Sequence, residues 1–476
     1  MLIIKPGAQK KLYQDLSTSI SGLEPPLWAA LLAAFIREKG FSIDLVDVEI
    51  EADKAIEIFN SQHPKLVAVV VSGTNPSAST MNMVGARVIL EEINKIDTDL
   101  PTILAGLHPS ALPERTLKEE PVTMVCEGEG FYTLLDLLSG KQPKDVRGLW
   151  YREDNKLMSN PRASLVDPND LPMPAWDLLP MHKYRAHNWH CFGRLNERSP
   201  YGVIYTSLGC PFSCSFCCIN AIFGEHKIRY RDPKKVIEEI DFLVRKYDIK
   251  NIKILDEMFD LNDKHVIGIC DLIIERKYDL NIWAYARVDT INERKLNKMK
   301  KAGINWLGIG FESGSKKIRE RVIKGGFDDN RIKSMIKMIR DAGICIGGNF
   351  IFGLPGDNLD TMEETLELAE EINCDYSNFY VAMAYPGSRL YEEAVADKVP
   401  LPDSWLGYSQ YGYETQPLPT EYLSPSEILR FRDNAFQEYH GSQSYQDMIL
   451  GKFGEDTLQH VKDMLKSRLK RRLLGD

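Results

Sequence analysis

A chain of 476 residues exceeds what one compact core supports, so about two to four domains are expected. Its 43% apolar and 27% charged residues are those of a soluble globular protein, and a net charge of -9 with a pI near 5.7 excludes a surface devoted as a whole to nucleic acid. The longest apolar run, Leu27 to Ile36, is too short to span a bilayer, and the start Met1-Leu2-Ile3-Ile4 lacks the regions of a signal peptide. Nine cysteines, an odd number with three packed together, fit metal ligation in a reducing compartment better than a disulfide framework, so a cytoplasmic protein without a membrane span is expected.

Strand-like runs at 1–4, 42–48, 66–71, 102–105 and 123–126 alternate with amphipathic stretches such as 26–39 and 81–95. The alternation predicts a parallel, doubly wound α/β domain over residues 1–145. Ligands of such sheets sit at the carboxyl ends of strands, where Ser72-Gly73-Thr74-Asn75-Pro76, Gly106-Leu107-His108-Pro109-Ser110 and Glu127-Gly128-Glu129-Gly130 fall. These loops read equally as ordinary strand-to-helix turns or as backbone opened to a large flat ligand. Residues 146–200 read as a hairpin turning at Asp154-Asn155, then an extended linker through Leu171-Pro172-Met173-Pro174. Within it, His187, His190 and Cys191 read as a solvated loop rather than a second metal site.

From Val203 a second series begins, with strands near 203–208, 251–256, 281–287, 305–311, 346–352 and 377–382. Helices separate them, the first from Pro233 to Tyr247 with one apolar stripe. Six β/α units over residues 201–400 predict a partial barrel, whose reactive groups gather at the carboxyl ends of its strands. Asp256 and Glu257, Arg287 and Asp289, and Glu312 and Ser313 fall there. Residues 401–476 form a helical extension, with a helix start at Ser424-Pro425 and Trp405, Tyr408, Tyr411, Tyr413 and Tyr422 before it. Those rings read as surface packing or as a substrate mouth. A final helix with Val461, Leu465, Leu469 and Leu473 on one stripe and Arg471 among its cations reads as solvated.

The densest chemistry is Cys210-Pro211-Phe212-Ser213-Cys214-Ser215-Phe216-Cys217, directly after the first barrel strand. Thiolates are soft ligands for iron–sulfur clusters or zinc, and three of them on a four-iron cluster leave one iron open to an external ligand.

Cys210-x3-Cys214-x2-Cys217, with Phe216 before the third thiol, resembles the radical S-adenosylmethionine (SAM) superfamily. Gly106 to Ser110, Cys126 to Gly130 and Leu171 to Asp177 resemble its cobalamin-binding subgroup, and the likeness runs from residue 1 to about 400. The resemblance implies a Rossmann-like cobalamin domain, a partial (β/α)6 TIM-like barrel, and three cofactors: a [4Fe-4S] cluster, SAM and cobalamin. It implies that Cys210, Cys214 and Cys217 hold the cluster; that Phe216, Asp256, Glu257, Arg287, Glu312 and Ser313 bind SAM; and that Ser72, Gly73, Thr74, Gly106, His108, Pro109, Ser110, Glu127, Gly128 and Glu129 bind cobalamin. Cys218 is left as a structural neighbour.

The implied reaction is reductive cleavage of SAM to a 5'-deoxyadenosyl radical and methylation of an unactivated carbon of a small molecule, fed by a donor such as flavodoxin or ferredoxin. Cyclisation or oxidative rearrangement, as in porphyrin-cyclase-like relatives, is the alternative with the same cofactors, and a structural zinc module the alternative without catalysis. One departure stands out. Many cobalamin proteins carry Asp-x-His-x-x-Gly after the first strand, where this chain has Lys5-Pro6-Gly7-Ala8-Gln9, so cobalamin is expected without a histidine below cobalt. Asp263 to Gly268 matches the pattern literally but falls on a barrel helix, and is read as coincidence.

Overall fold

A computed structural model of the chain describes residues 1–73 and 78–476. Residues 1–159 build a seven-stranded sheet from β1 (Leu2–Lys5), β2 (Asp44–Asp47), β3 (Val67–Val71), β4 (Thr102–Gly106), β5 (Met124–Cys126), β6 (Leu149–Glu153) and β7 (Lys156–Ser159), in the order β2-β1-β3-β4-β5-β6-β7. The first five strands are parallel, and the predicted hairpin is no separate unit: β6 adds antiparallel to β5. Asp154 and Asn155, both at positive φ, make its two-residue turn. The order reverses between β1 and β3, which opens a crevice at the carboxyl ends of those strands.

The helix Leu27–Glu38 explains how this sheet meets the rest of the chain. It is buried from Leu27 through Ile36, on every face. A helix apolar all round must be covered all round. One side lies on β1 and β2; on the other, Ala30 accepts a backbone hydrogen bond from Ala175, and Trp28 meets Tyr205 and Phe223 edge-on.

The second sheet is the partial barrel, six parallel strands in the order β15-β14-β13-β12-β11-β8. These are β8 (Tyr201–Ile204), β11 (Asn251–Ile254), β12 (Asn281–Ala286), β13 (Ile304–Glu312), β14 (Cys345–Phe352) and β15 (Tyr376–Val381). The predicted run 203–208 breaks after β8, and its end pairs as β9 (Ser207–Leu208) with β10 (Arg229–Tyr230). The barrel is open between β8 and β15. Asp232, Asn358 and Ser424 cap the helices Pro233–Tyr247, Leu359–Ile372 and Pro425–Gly441 by accepting from backbone N–H groups of the first turn, as their sequence positions signal.

Two expectations are corrected. His187, His190 and Cys191 are not in a solvated loop: the segment plugs the amino-terminal end of the barrel. His190 O and the Cys191 thiol meet Asn281 and Asn251, the first residues of β12 and β11, and Trp189 packs against Trp283, Trp306 and Tyr376. Nor does the last helix run through Leu473. It ends at Lys466, because Arg471 turns inward. Its side chain is fully buried, donating twice to Asp433 at 2.9 Å and to Gln410 O, Gly412 O and Thr415 Oγ1.

A buried cation whose partners lose it leaves a carboxylate and two carbonyls short of donors. Arg471→Ala is therefore expected to destabilise the C-terminal extension by about 3 kcal/mol, read as a lower thermal midpoint. An unchanged midpoint would contradict this account of the tail.

Candidate active site

The cysteine loop begins at a forced glycine. Gly209 has φ +91°, and a Cβ there would lie 2.2 Å from Lys227 O, so only glycine lets the chain turn from β9 into Cys210. The loop is pinned from outside as well: Ser215 N donates to Val322 O at 3.0 Å, and Leu390 N to Ser215 O at 2.8 Å. Phe216 packs against the apolar clusters containing Leu390 and Leu354. Burial raises the Cys210 thiol to about 11 and Cys217 well above its usual value, with the negative charges of Glu257 and Cys214 adding. Thiols in such surroundings become thiolates by gaining a metal. Cys218 is 2% exposed and sits in the hydrophobic core, as its place outside the spacing implies.

Among the described residues, no three His, Cys, Asp or Glu side chains close on one point as the ligands of a single ion would. A four-iron cluster asks for something else, one thiolate per iron at separate corners, and three unpaired thiols on one loop suit it. The zinc-module reading needs four converging ligands and finds no such group there.

The strand ends converge on this loop. Arg287, after β12, stacks 3.9 Å over Phe212, sends Nη1 to Cys214 Sγ at 3.8 Å, and is held by Asp289 at 2.9 and 3.0 Å. On β13 a register shift between Gly310 and Glu312, with Glu312 at φ +66°, re-aims the glutamate. Its Oε1 meets Lys324 Nζ at 2.7 Å over Gly310, where a Cβ would lie 2.2 Å from the same oxygen. Lys324 was not picked out from the sequence; the only hint is the pair of glycines after it.

Asp256 and Glu257 are adjacent but differently placed. Asp256 is 1% exposed and accepts from Thr206 N, Thr206 Oγ1 and Ser207 Oγ at 2.5–2.6 Å, so its oxygens are occupied in bridging β11 to the start of β9. Glu257 has no hydrogen-bond partner among the described residues and lines the cleft toward the first sheet. Burial pushes its pKa up to about 8, with Lys253 opposing and Asp256 adding. Ser313 is fully buried against Thr365 and Ser315, a turn-forming role. His265 donates or accepts at Thr206, and Asp263 pairs with Lys295, so the literal Asp-x-His-x-x-Gly is helix framework.

Across the cleft, Ser72, Gly73 and Gly106 line cavities of about 750 and 580 Å³ between the carboxyl edge of the first sheet and Trp28, Tyr205 and Glu257. Gly106 has φ +119°, and a Cβ would lie 2.1 Å from Val71 O. Gly128 is open, with nothing nearer its Cβ position than Ile222 O at 3.9 Å. The expected neighbours divide from these. His108 is fully buried, bonded to Thr80 and edge-on to Trp405, and desolvation lowers it to about 3. Pro109 is buried with it, and Ser110 bridges Gly106 O to Gly128 N. Glu127 is held by Trp150 and Arg162, and Glu129 by Arg229 and Val166 N. These fix the loops rather than face the cleft, while Thr74 lies outside the described residues. The loop after β1 is capped by Glu49, which accepts from Ala8 N and Gln9 N, and no histidine lines either cavity among the described residues. The cleft thus fits a flat cofactor held by glycine backbone.

The family model of the radical SAM superfamily matches residues 204–369, and that of the B12 binding domain residues 13–138. An uncharacterized methyltransferase of Pyrococcus horikoshii is 32% identical over 86% of this chain and 86% of its own. An anaerobic magnesium-protoporphyrin IX monomethyl ester cyclase of Rubrivivax gelatinosus is 27% identical over 90% of this chain and 77% of its own. The fold is shared with the radical SAM methyltransferase TsrM of Kitasatospora setae, solved with cobalamin and a [4Fe-4S] cluster (TM-score 0.70, 16% identity, 98% and 99% of the two chains). It is shared also with the cobalamin-dependent SAM radical enzyme OxsB (TM-score 0.63, 18% identity, 91% of this chain and 61% of that one). With the cysteine loop, the strand-end groups and the glycine-lined cleft in place, the chain belongs to the radical SAM superfamily, among the enzymes that carry an N-terminal B12-binding domain.

Proposed function

We propose that this enzyme transfers a methyl group to a carbon of a small molecule bound inside the barrel. One observation supports the reading: the cleft cavities, one of them lined by Glu257, share lining residues with the barrel cavity, Tyr13 and Met81 on one side and Tyr285 on the other, so the cleft and the barrel interior adjoin. When bound, the cluster with SAM supplies one-electron cleavage and cobalamin supplies methyl carriage. The chain's residues position and shield. Cys210, Cys214 and Cys217 hold the cluster. Glu257 accepts the SAM amine, since Asp256 is already saturated by Thr206 and Ser207. Arg287, whose Nη1 is spent only on the Cys214 sulfur, meets the carboxylate, and Glu312, fixed by Lys324, meets the ribose. Ser72, Gly73 and Gly106 bring backbone against cobalamin. A reductant such as flavodoxin or ferredoxin feeds the cluster.

The likeness to the cyclase favours a second reading, oxidative cyclisation with the same cofactors. Anaerobic turnover with methyl-labelled SAM separates the two: label in the product is expected, and deoxyadenosine without labelled product would sink methyl transfer while sparing the radical chemistry. In the same preparations, Cys217→Ser is expected to abolish the paramagnetic signal of the reduced cluster and Cys218→Ser to leave it; the reverse pattern would reassign the third ligand.

Glu257 also makes a prediction for the cofactor-free protein. Its folded pKa, about 8, is raised above the ordinary 4.5, so its contribution to stability is fully present below about 4.5 and is lost as pH rises through about 8. Thermal stability of the wild type is expected to fall relative to Glu257→Gln across that window. Parallel pH profiles would mean the carboxyl is ionised and solvated in the fold.

A further inference from the structure

The barrel encloses a cavity of about 1520 Å³, mouth included, whose lining differs from that of the cofactor cleft. Strands of a parallel sheet covered on both faces are ordinarily buried throughout. Here Tyr285 on β12, Asn349 on β14, and Asn378 and Tyr380 on β15 keep partial exposure, and all four line the cavity. The Tyr285 and Tyr380 hydroxyls have no hydrogen-bond partner among the described residues. Asn378 Nδ2 donates to Asn349 Oδ1 at 3.1 Å, which leaves the Asn378 carbonyl oxygen open to the cavity. Polar groups in an apolar chamber that the protein does not satisfy are set for a ligand that does.

The chamber's charge and shape restrict that ligand. Lys253 is paired with Glu24 at 3.1 Å and lies 4.7 Å over the Trp283 ring, and Arg432 is paired with Asp433 at 2.6 Å. Asp433 is shared between Arg432 and Arg471, and Arg468 lines the mouth with no carboxylate partner among the described residues, so the walls carry an excess of positive charge and disfavour a cationic ligand. Gly347 faces the chamber with no atom nearer its Cβ position than 3.9 Å, and beyond it stands the Trp189 ring at 4.0 Å. A strand position without a side chain here leaves the Trp189 ring as part of the chamber wall. Aromatic walls favour a π-face over an aliphatic chain or a sugar.

We propose that this chamber takes a planar aromatic ring system without positive charge, its face on the aromatic wall that includes Trp189 and its polar edge on Tyr285, Tyr380 and Asn378. The proposal rests on the reading of the chain as an enzyme that modifies a small molecule. Binding measured without reductant, so that no turnover occurs, tests it independently of whether methyl is transferred. The probes are 2-naphthol and its saturated, non-planar analogue decahydro-2-naphthol, titrated calorimetrically into the anaerobically reconstituted holoenzyme.

The aromatic probe is expected to bind at least about tenfold more tightly. Gly347→Leu, which sets a side chain over the Trp189 ring at a backbone conformation open to any residue, is expected to weaken it about tenfold, and Tyr380→Phe and Asn378→Leu to weaken it severalfold. Tyr380→Phe removes a single hydroxyl and carries the test should the leucine variant misfold. Equal binding of the two probes, no binding of 2-naphthol, or affinity untouched by both Gly347→Leu and Tyr380→Phe would overturn the proposal.

Discussion

The ion pair between Glu24 and Lys253 joins the two halves of this enzyme. Glu24 follows the first elements of the B12-binding half, Lys253 stands on β11 of the barrel, and both are nearly fully buried, at 4% and 2% exposure. Burial raises the glutamate's pKa and lowers the lysine's, so each charge resists its surroundings and has the other as its main counter-charge. Such a pair adds little net stability, because desolvation offsets most of the Coulomb gain, but breaking it costs about 3–5 kcal/mol. The consequence is registry: the barrel lysine is compensated only when the first sheet sits where its carboxyl edge faces the barrel's. His187, 3.6 Å from the same glutamate, ties the barrel plug into that joint, and Glu129–Arg229 repeats the device on the far side of the cleft.

The apolar helix Leu27–Glu38 supplies what the ion pairs do not. Its burial on every face gives the association most of its hydrophobic gain, whereas the charges select one orientation among those that would bury it. This division of labour suits an enzyme with two cofactors. A shift of a few ångströms between the sheets would leave the hydrophobic contact largely intact and separate the two sites.

Much of this was legible in the chain. Parallel strands buried on both faces are continuous apolar runs, so ten of the eleven expected strands fall within a residue or two of the observed ones, β8 being the exception because Asp256 breaks it through Thr206 and Ser207. The cysteine loop was legible because a loop motif is local. What escaped depends on partners far apart in sequence. Lys324 acquires meaning only from Glu312, re-aimed by a bulge; Glu24 only from Lys253, 229 residues on. Arg471 looks like one more cation on a solvated face until Asp433 and the carbonyls at 410 and 412 enclose it. The same blindness grouped Asp256 with Glu257, and Glu127 with the glycines of the cleft: residue type placed them at the right edge, but only hydrogen bonding shows which are already spent.

That distinction between spent and unspent groups organises the interior. Around the cluster loop and the cleft, most polar side chains are saturated, leaving Glu257 and glycine backbone as the open surfaces. In the barrel the same holds at the plug, where aromatic rings fill the amino-terminal end, and fails above it, where Gly347 and Gly308 replace the branched residues that layer an ordinary barrel core. Omitting side chains from two central strands forgoes packing that a stable core would use. Aromatic rings recover part of it: Trp283 and Tyr285 rest on Gly308, and the Trp189 ring comes within 4.0 Å of the Cβ position of Gly347. The unfilled volume adjoins the cleft through Tyr13, Met81 and Tyr285, so it is space that the barrel's own packing leaves unclaimed.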